Sequence, residues 1–356
     1  MLPFLTPTIS LKEKIIFYES IANLLEGGIT LLGAFKGLLS RTHPGLLYDT
    51  IEHTIFFIES GDSLNIAMRK FPSFYEEKEI ALIESGEQTG MLKDSFQAIA
   101  SELRMQSELR TKVIGALTYP FVIMFFLVLA LTVVMTFVVP QIMPIIAEMT
   151  TEISFSTKSL IWVSNFMRDN IFFIIATLVG AALIFRGYIM TDEGKKKFDY
   201  AKIYTPIVGL VYKNYLIVQV MSTFHLLSSS GVSIVKTLRL TGASSGNSKM
   251  NEMFSFMADE ISKGKKISEA MLDADKSGYI FSSDIIQMIE SAEKTSTVHT
   301  ITQKISEQYR REVDASLAIM VKLIEPIALL MAGVFVMWFA IAIFSSIMQV
   351  VDVAGN

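Results

Sequence analysis

Three stretches of the chain are apolar and nearly uncharged over a length that suits a bilayer, while the rest sets apolar positions at helical spacing among polar ones. Phe121 to Val139 is 19 residues without a charge, and 14 of them are Phe, Val, Leu or Ile. At a rise of about 1.5 Å per residue this helix just crosses a hydrocarbon core of about 30 Å. Ile327 to Met348 is a second charge-free run, of 22 residues. Ile171 to Met190 is a third apolar run, interrupted by Arg186 near enough to one end to reach the headgroups. The pattern predicts membrane spans over 115–139, 170–190 and 324–349.

The polar parts read as helices. Leu11 to Leu25 stops at Gly27-Gly28. Leu31 to Leu39 ends before Pro44, and Leu46 to Ile58 before Gly61-Asp62, after which Ser63 can cap a short helix. Glu76 to Ser85 stops at Gly86, and Leu92 onward runs at helical spacing toward Lys112. No alternating, strand-like segment competes, and the short connections suit a helix bundle.

This arrangement occurs twice. At an offset of 203 residues Gly28-Ile29-Thr30 falls on Gly231-Val232-Ser233, and Ile58-Glu59-Ser60-Gly61 on Ile261-Ser262-Lys263-Gly264. At 206, Ile83-Glu84-Ser85-Gly86-Glu87-Gln88-Thr89-Gly90 meets Ile289-Glu290-Ser291-Ala292-Glu293-Lys294-Thr295-Ser296, and Tyr119-Pro120 meets Glu325-Pro326 at the mouths of two spans. A helical domain followed by a span is therefore repeated, with three extra residues in the second copy. The expected division is 1–114 and 191–323 as helical domains, 140–169 as a short segment between spans, and 350–356 as a tail.

Charge gives the orientation. Arg104, Arg110 and Lys112 precede the first span, Lys195, Lys196, Lys197 and Lys202 follow the second, and Arg310, Arg311 and Lys322 precede the third. Each comparison across a span agrees under the positive-inside rule: both helical domains are cytoplasmic, and 140–169 and the C-terminus are outside. Met1 to Pro7 lacks a basic start and carries two prolines, so it does not read as a secretory signal.

Composition then removes whole classes. Without cysteine there are no disulfides, thiolate zinc sites, iron–sulfur clusters or cysteine nucleophiles. With 31 basic and 35 acidic residues, a net charge of −4, nucleic acid is not an expected partner.

The motif Gly86-Glu87-Gln88-Thr89-Gly90-Met91-Leu92, ahead of a basic helix leading to Tyr119-Pro120 and a span, together with its second copy, resembles the inner-membrane platform family of type II secretion systems and type IV pili. The resemblance covers about Lys12 to Met348. It implies an all-α integral membrane protein with two homologous six-helix cytoplasmic bundles and three transmembrane helices, in the bacterial inner membrane. It implies a non-enzymatic role at the base of pilus or pseudopilus assembly. The implied partners are a cytoplasmic secretion or pilus ATPase, pilin or pseudopilin subunits, other inner-membrane assembly proteins and further copies of the chain. Longer members carry an extra segment before the first repeat, where this chain has some ten residues. In the second copy the motif has lost both glycines, so that turn is expected to differ or to adopt ordinary backbone angles.

Candidate chemistry is sparse. No phosphate-binding Gly-x-x-x-x-Gly-Lys-Ser/Thr loop is present; Gly242 to Lys249 has the lysine in the wrong place and reads as a loop. No cofactor is expected. The histidines, at 43, 53, 225 and 299, show no metal spacing. The two charge-free spans hold no ionisable residue, which disfavours ion-coupled transport. Asp273, Asp275, Ser277 and Asp284 match an EF-hand loop in part, but position 12 is Asp and no paired loop exists, so a solvated turn is the default; the alternative is a membrane-bound sensor or calcium-modulated adaptor with no assembly role. Glu87 and Glu293 read as acidic helix-start residues favoured by the macrodipole. Alternatively Glu87, Thr89, Gly90 and Glu293 contact the ATPase or another subunit. Arg104, Arg110, Lys112, Arg310 and Arg311 could bind anionic headgroups as well as set topology.

Overall fold

A computed structural model describes residues 9–142, 144, 155–206 and 208–354. Every regular element among them is helical. The chain divides into two compact units: Met1–Lys112 with Lys196–Ala315, and Val113–Lys195 with Ser316–Asn356.

In the first unit, one copy of the repeat supplies α1 (Leu11–Glu26), α2 (Leu31–Leu39), α3 (Leu46–Glu59), α4 (Leu64–Arg69), α5 (Glu77–Thr89) and the start of α6 (Leu92–Val133). Local chemistry sets the boundaries. Ser10 and Glu13 form a reciprocal capping box at the start of α1, and the Thr30 hydroxyl accepts the Gly33 N–H at the start of α2. The second copy follows α7 (Phe155–Ile189) and α8 (Asp192–Tyr204). It comprises α9 (Val208–Ser229), α10 (Ile234–Ser244), α11 (Ser248–Ser262), α12 (Ile267–Ala274), α13 (Ser283–Lys294) and the start of α14 (Val298–Ala354).

The two cores differ in kind. The first is aromatic: Phe17 meets Tyr18, Phe74 and Phe35 edge-on at 5.0, 5.2 and 5.9 Å. The second relies on methionines, with Met221, Met250, Met253, Met257 and Met271 buried around Phe254 and Phe281. Leu226 and Leu227 of α9 pack into the first core, so the copies share part of their interior.

Among the described residues, three single helices are long and apolar enough to cross a membrane: Leu92–Ile142, Phe155–Ile189 and Val298–Ser345. The helix carrying the second span starts at Phe155, well before residue 170, because Thr157, Leu160 and Ser164 find partners in the second unit. The Thr157 hydroxyl donates to the Ala342 carbonyl at 2.7 Å, and the Trp338 indole N–H to the Ser159 hydroxyl at 3.3 Å. A π-helical turn occupies Val134–Val138, and the Ser164 hydroxyl donates to the Met135 carbonyl within it at 2.6 Å. The bonds from Thr157 and Ser164 give backbone carbonyls extra partners. Leu160, Met135, Val139 and Ala342 close the packing around them. Residues 145–154, within the segment expected outside the cytoplasm, and the first eight residues lie outside the described residues.

Candidate functional site

The helix α5 does not stop at Gly86. It runs on to Thr89 and ends where Gly90 turns left-handed, at φ 73°. Glu87 thus lies in the last turn of α5 rather than at a helix start, and its carboxylate serves another helix. It accepts the backbone N–H of Leu64 at 2.6 Å, the N–H of Asn65 at 3.1 Å and the Asn65 side-chain amide at 2.5 Å. The cap of α4 is therefore Glu87 through space, and the Ser63 hydroxyl instead accepts the Asn65 amide at 3.1 Å. Glu293 repeats this in the second copy. It accepts the N–H of Ile267, the N–H of Ser268 at 3.2 Å and the Ser268 hydroxyl at 2.5 Å, capping α12. The macrodipole argument holds in both copies, but it applies to the neighbouring helix.

Gly86 is required by space. A Cβ there would stand 2.3 Å from the Ser95 hydroxyl and 3.0 Å from its Cβ. Thr89 is exposed and donates its hydroxyl to the Ser85 carbonyl at 2.8 Å. The second copy keeps the turn despite losing both glycines. Ser296 is left-handed at φ 57°, and the Thr297 N–H reaches the Ala292 carbonyl at 2.9 Å, as the Met91 N–H reaches Gly86 at 2.8 Å. The expectation of a different turn or ordinary angles is corrected on this point.

The two residues just ahead of the motif join the two copies. The Ser85 hydroxyl donates to the Ser230 carbonyl, and Glu84 pairs with Lys236 at 2.8 Å. At the N-terminal end of α5, a largely buried ionic cluster appears that sequence reasoning missed. Lys14 lies 2.8 Å from Glu79 and 3.3 Å from Glu76, and Lys78 lies 3.1 Å from Glu76. The Tyr18 hydroxyl donates to Glu79 at 2.9 Å. Glu102, also buried, accepts from Ser222 of the second copy, and Gln106 donates to it at 2.7 Å. Burial pushes the Glu79 carboxyl above the usual range. Burial opposes the charge on Lys78, but Glu76, Glu79 and Glu102 outweigh it and hold the amine charged. The repeat held a signal for this cluster: the equivalents of Lys14, Tyr18 and Glu79 are Ile217, Met221 and Ile285, all buried. Polar residues stand in one copy where the other is apolar.

The basic residues near the first and third spans are mostly paired. Arg104 bridges to Glu19, Lys112 to Asp314 at 3.1 Å and Arg310 to Glu108 at 3.6 Å. The last two tie α6 to α14. Arg110 and Arg311 are exposed.

Asp275 is buried and uses both oxygens within its own loop. Ser277 donates to one at 2.6 Å, and the N–H groups of Ile280 and Phe281 to the other at 2.7 and 2.8 Å. Burial would raise this carboxyl, but these hydrogen bonds hold it below the usual range. Asp273 is paired with Lys265 at 2.9 Å, and Asp284 is exposed in the first turn of α13. Among the described residues no three acidic or histidine side chains converge as a metal site would require. His53 and His225 bind backbone carbonyls, of Asp49 and His299, each at 2.6 Å.

The sequence model of type II secretion system protein F matches residues 17–140 and 221–345, the two copies of the repeat with the adjoining spans. The chain is similar to the type IV pilus assembly protein PilC of Thermus thermophilus, with 28% identity over 326 residues, 92% of this chain and 79% of that protein. PilC of Pseudomonas aeruginosa is 24% identical over 348 residues, covering 96% and 90%. The type II secretion system protein F of the same organism is 20% identical over 347 residues, covering 98% and 85%.

Proposed function

Because the chain belongs to the type II secretion system protein F family, we propose that it is the inner-membrane platform of a type IV pilus or secretion pseudopilus. In this reading a cytoplasmic ATPase acts on the helical unit, and pilin-like subunits are inserted into or extracted from the bilayer beside the spans. The helical unit faces the cytoplasm, and the C-terminus the far side of the inner membrane.

One observation carries the reading beyond family membership. Each copy of the repeat ends in a helix that continues into a span without a break. The first runs from Leu92 to Ile142 and the second from Val298 through Ala354, past Pro120 and Pro326. The helix backbone is then the covalent path from the helical unit to the span, with Pro120, Pro326 and the π-helical turn at Val134–Val138 as the points where it would bend. In this reading a load on the helical unit is passed to the spans along these two helices. The carboxylates of Glu87 and Glu293 hold the short helices α4 and α12 in place, which is a structural role rather than a catalytic one.

The exposed end of the α5–α6 turn, with Thr89 and Gly90, is the surface on which the ATPase or a neighbouring subunit would bear, and self-association would resist the applied load. The direct test is capture: the full chain in nanodiscs, mixed with the ATPase encoded by the same host's pilus or secretion system. Nucleotide-sensitive retention of the ATPase is expected. Retention no greater than by empty nanodiscs would contradict the coupling.

A further inference from the structure

The corner between α8 and α9 is built unlike the rest of the helical unit. Tyr204, Pro206, Val208 and Leu210 are all exposed there, within seven residues, although the neighbouring Ile203 and Val211 are buried. Tyr279, from the loop between α12 and α13, joins the same face: its ring stacks on Tyr204 at 4.9 Å, and its hydroxyl donates to the Ile203 carbonyl at 3.2 Å. Gly209 lies close to Ile203: a Cβ there would stand 2.4 Å from the Ile203 carbonyl oxygen. Such an apolar patch on a polar unit calls for a cover.

Cations accompany it. Lys213 lies 4.8 Å from the Tyr279 ring centroid and donates to the Tyr279 carbonyl at 3.2 Å. Lys195, Lys196 and Lys197 are exposed on α8, the helix leading to the corner, with Lys196 paired to Glu252 at 2.6 Å, and Lys276 is exposed three residues before Tyr279. Membrane helix α7 ends only two residues before α8 begins. That junction is tight: the Thr191 hydroxyl accepts the Gly194 N–H at 3.1 Å, and a Cβ at Gly194 would stand 1.9 Å from the Tyr188 carbonyl oxygen. Tyrosines with lysines on an apolar face, chained to a span, are the composition of a bilayer interface.

We propose that the α8–α9 corner, with Tyr204, Val208, Leu210 and Tyr279 as apolar contacts and the α8 lysines as cations, docks on an anionic bilayer surface. The lysines are drawn to the headgroup phosphates, and the tyrosine rings and aliphatic side chains enter the boundary below them. The second helical copy thereby gains a lipid contact in addition to its spans. This contact does not depend on any assembly role.

The natural absence of cysteine gives a clean test. Val208→Cys and Phe56→Cys, the latter an exposed position of the first copy, each carry an environment-sensitive fluorophore in the full chain. The protein is placed in nanodiscs of phosphatidylcholine with or without phosphatidylglycerol, and helicity is checked for each variant. The label at 208 should lose most of its emission to a lipid-borne nitroxide quencher in the anionic discs and little in the neutral ones. The label at 56 should respond only to aqueous iodide. Equal lipid quenching in neutral discs would overturn the anionic requirement. Full iodide access at 208 in anionic discs would overturn the docking. Protection at 208 from both quenchers would overturn it too, assigning the face to a protein such as a second copy.

Discussion

Gly90 and Ser296 stand at equivalent places after α5 and α13 and share a left-handed backbone, at φ 73° and 57°. Glycine adopts this conformation without strain, whereas serine bears a penalty from its Cβ. The second copy has thus lost the residue but kept the turn, because the closing hydrogen bond to the residue at 86 or 292 still requires it. Ser296→Gly should stabilise the protein by about 0.5–1 kcal/mol, and Gly90→Val should destabilise it by about 1–3 kcal/mol. Nothing lies within 4 Å of a Cβ at Gly90, so its penalty is one of backbone strain. Thermal unfolding of the full chain in detergent reads both; a lower melting temperature for Ser296→Gly would contradict the shared geometry.

Removing either capping carboxylate should act on stability, not on surface chemistry. Glu87→Ala and Glu293→Ala each leave two N–H groups of a short helix unpaired, at a cost of about 1–2 kcal/mol. Glu87→Gln retains an acceptor and should lose less. If Glu87 instead served mainly to bind a partner, Glu87→Ala would abolish assembly in the cell while leaving the melting temperature unchanged.

The Asp275 loop predicts a dependence on acid. Its carboxyl titrates lower in the fold than in the unfolded chain, so in acid the folded state binds fewer protons than the unfolded chain does. Its stabilisation is present above the ordinary carboxylate pKa of about 4 and is lost as the pH drops through the lower folded value. The stability difference between the wild type and Asp275→Asn should be full at neutral pH and shrink below about pH 4. A difference independent of pH down to full acid unfolding would remove the ionised carboxylate from the explanation. Added calcium should leave both proteins' melting temperatures in place.

Topology can be read with a single thiol. Ser156→Cys, at the start of α7, should react with a membrane-impermeant maleimide added to intact spheroplasts. Labelling only after lysis would invert the orientation given by the charge asymmetry.

Much of the fold was legible because its signals are local. Leu31–Leu39 is found where the pattern puts it, and the stop at Gly27-Gly28 holds to within a residue. The spans announce themselves by length and lack of charge. What escaped was set by contacts distant in sequence. Glu87 acts 23 residues away, on Leu64, and Lys14 meets Glu79 across the bundle, so neither spacing nor periodicity encodes the pairing. Gly86 looked like a helix stop because glycine is a poor helix former. It is instead a close approach between α5 and Ser95. The same holds for the candidate site: the repeat marked Glu87 and Glu293 as equivalent, but only the fold reveals which N–H groups they hold.

The central claim, that this chain is an assembly platform, is tested most directly by deleting its gene in the host and restoring it from a plasmid. The account predicts that surface pili or the secreted substrates disappear on deletion and return with the wild-type gene, while pilin and ATPase levels stay unchanged. Normal pili and normal secretion in the deletion strain would contradict it.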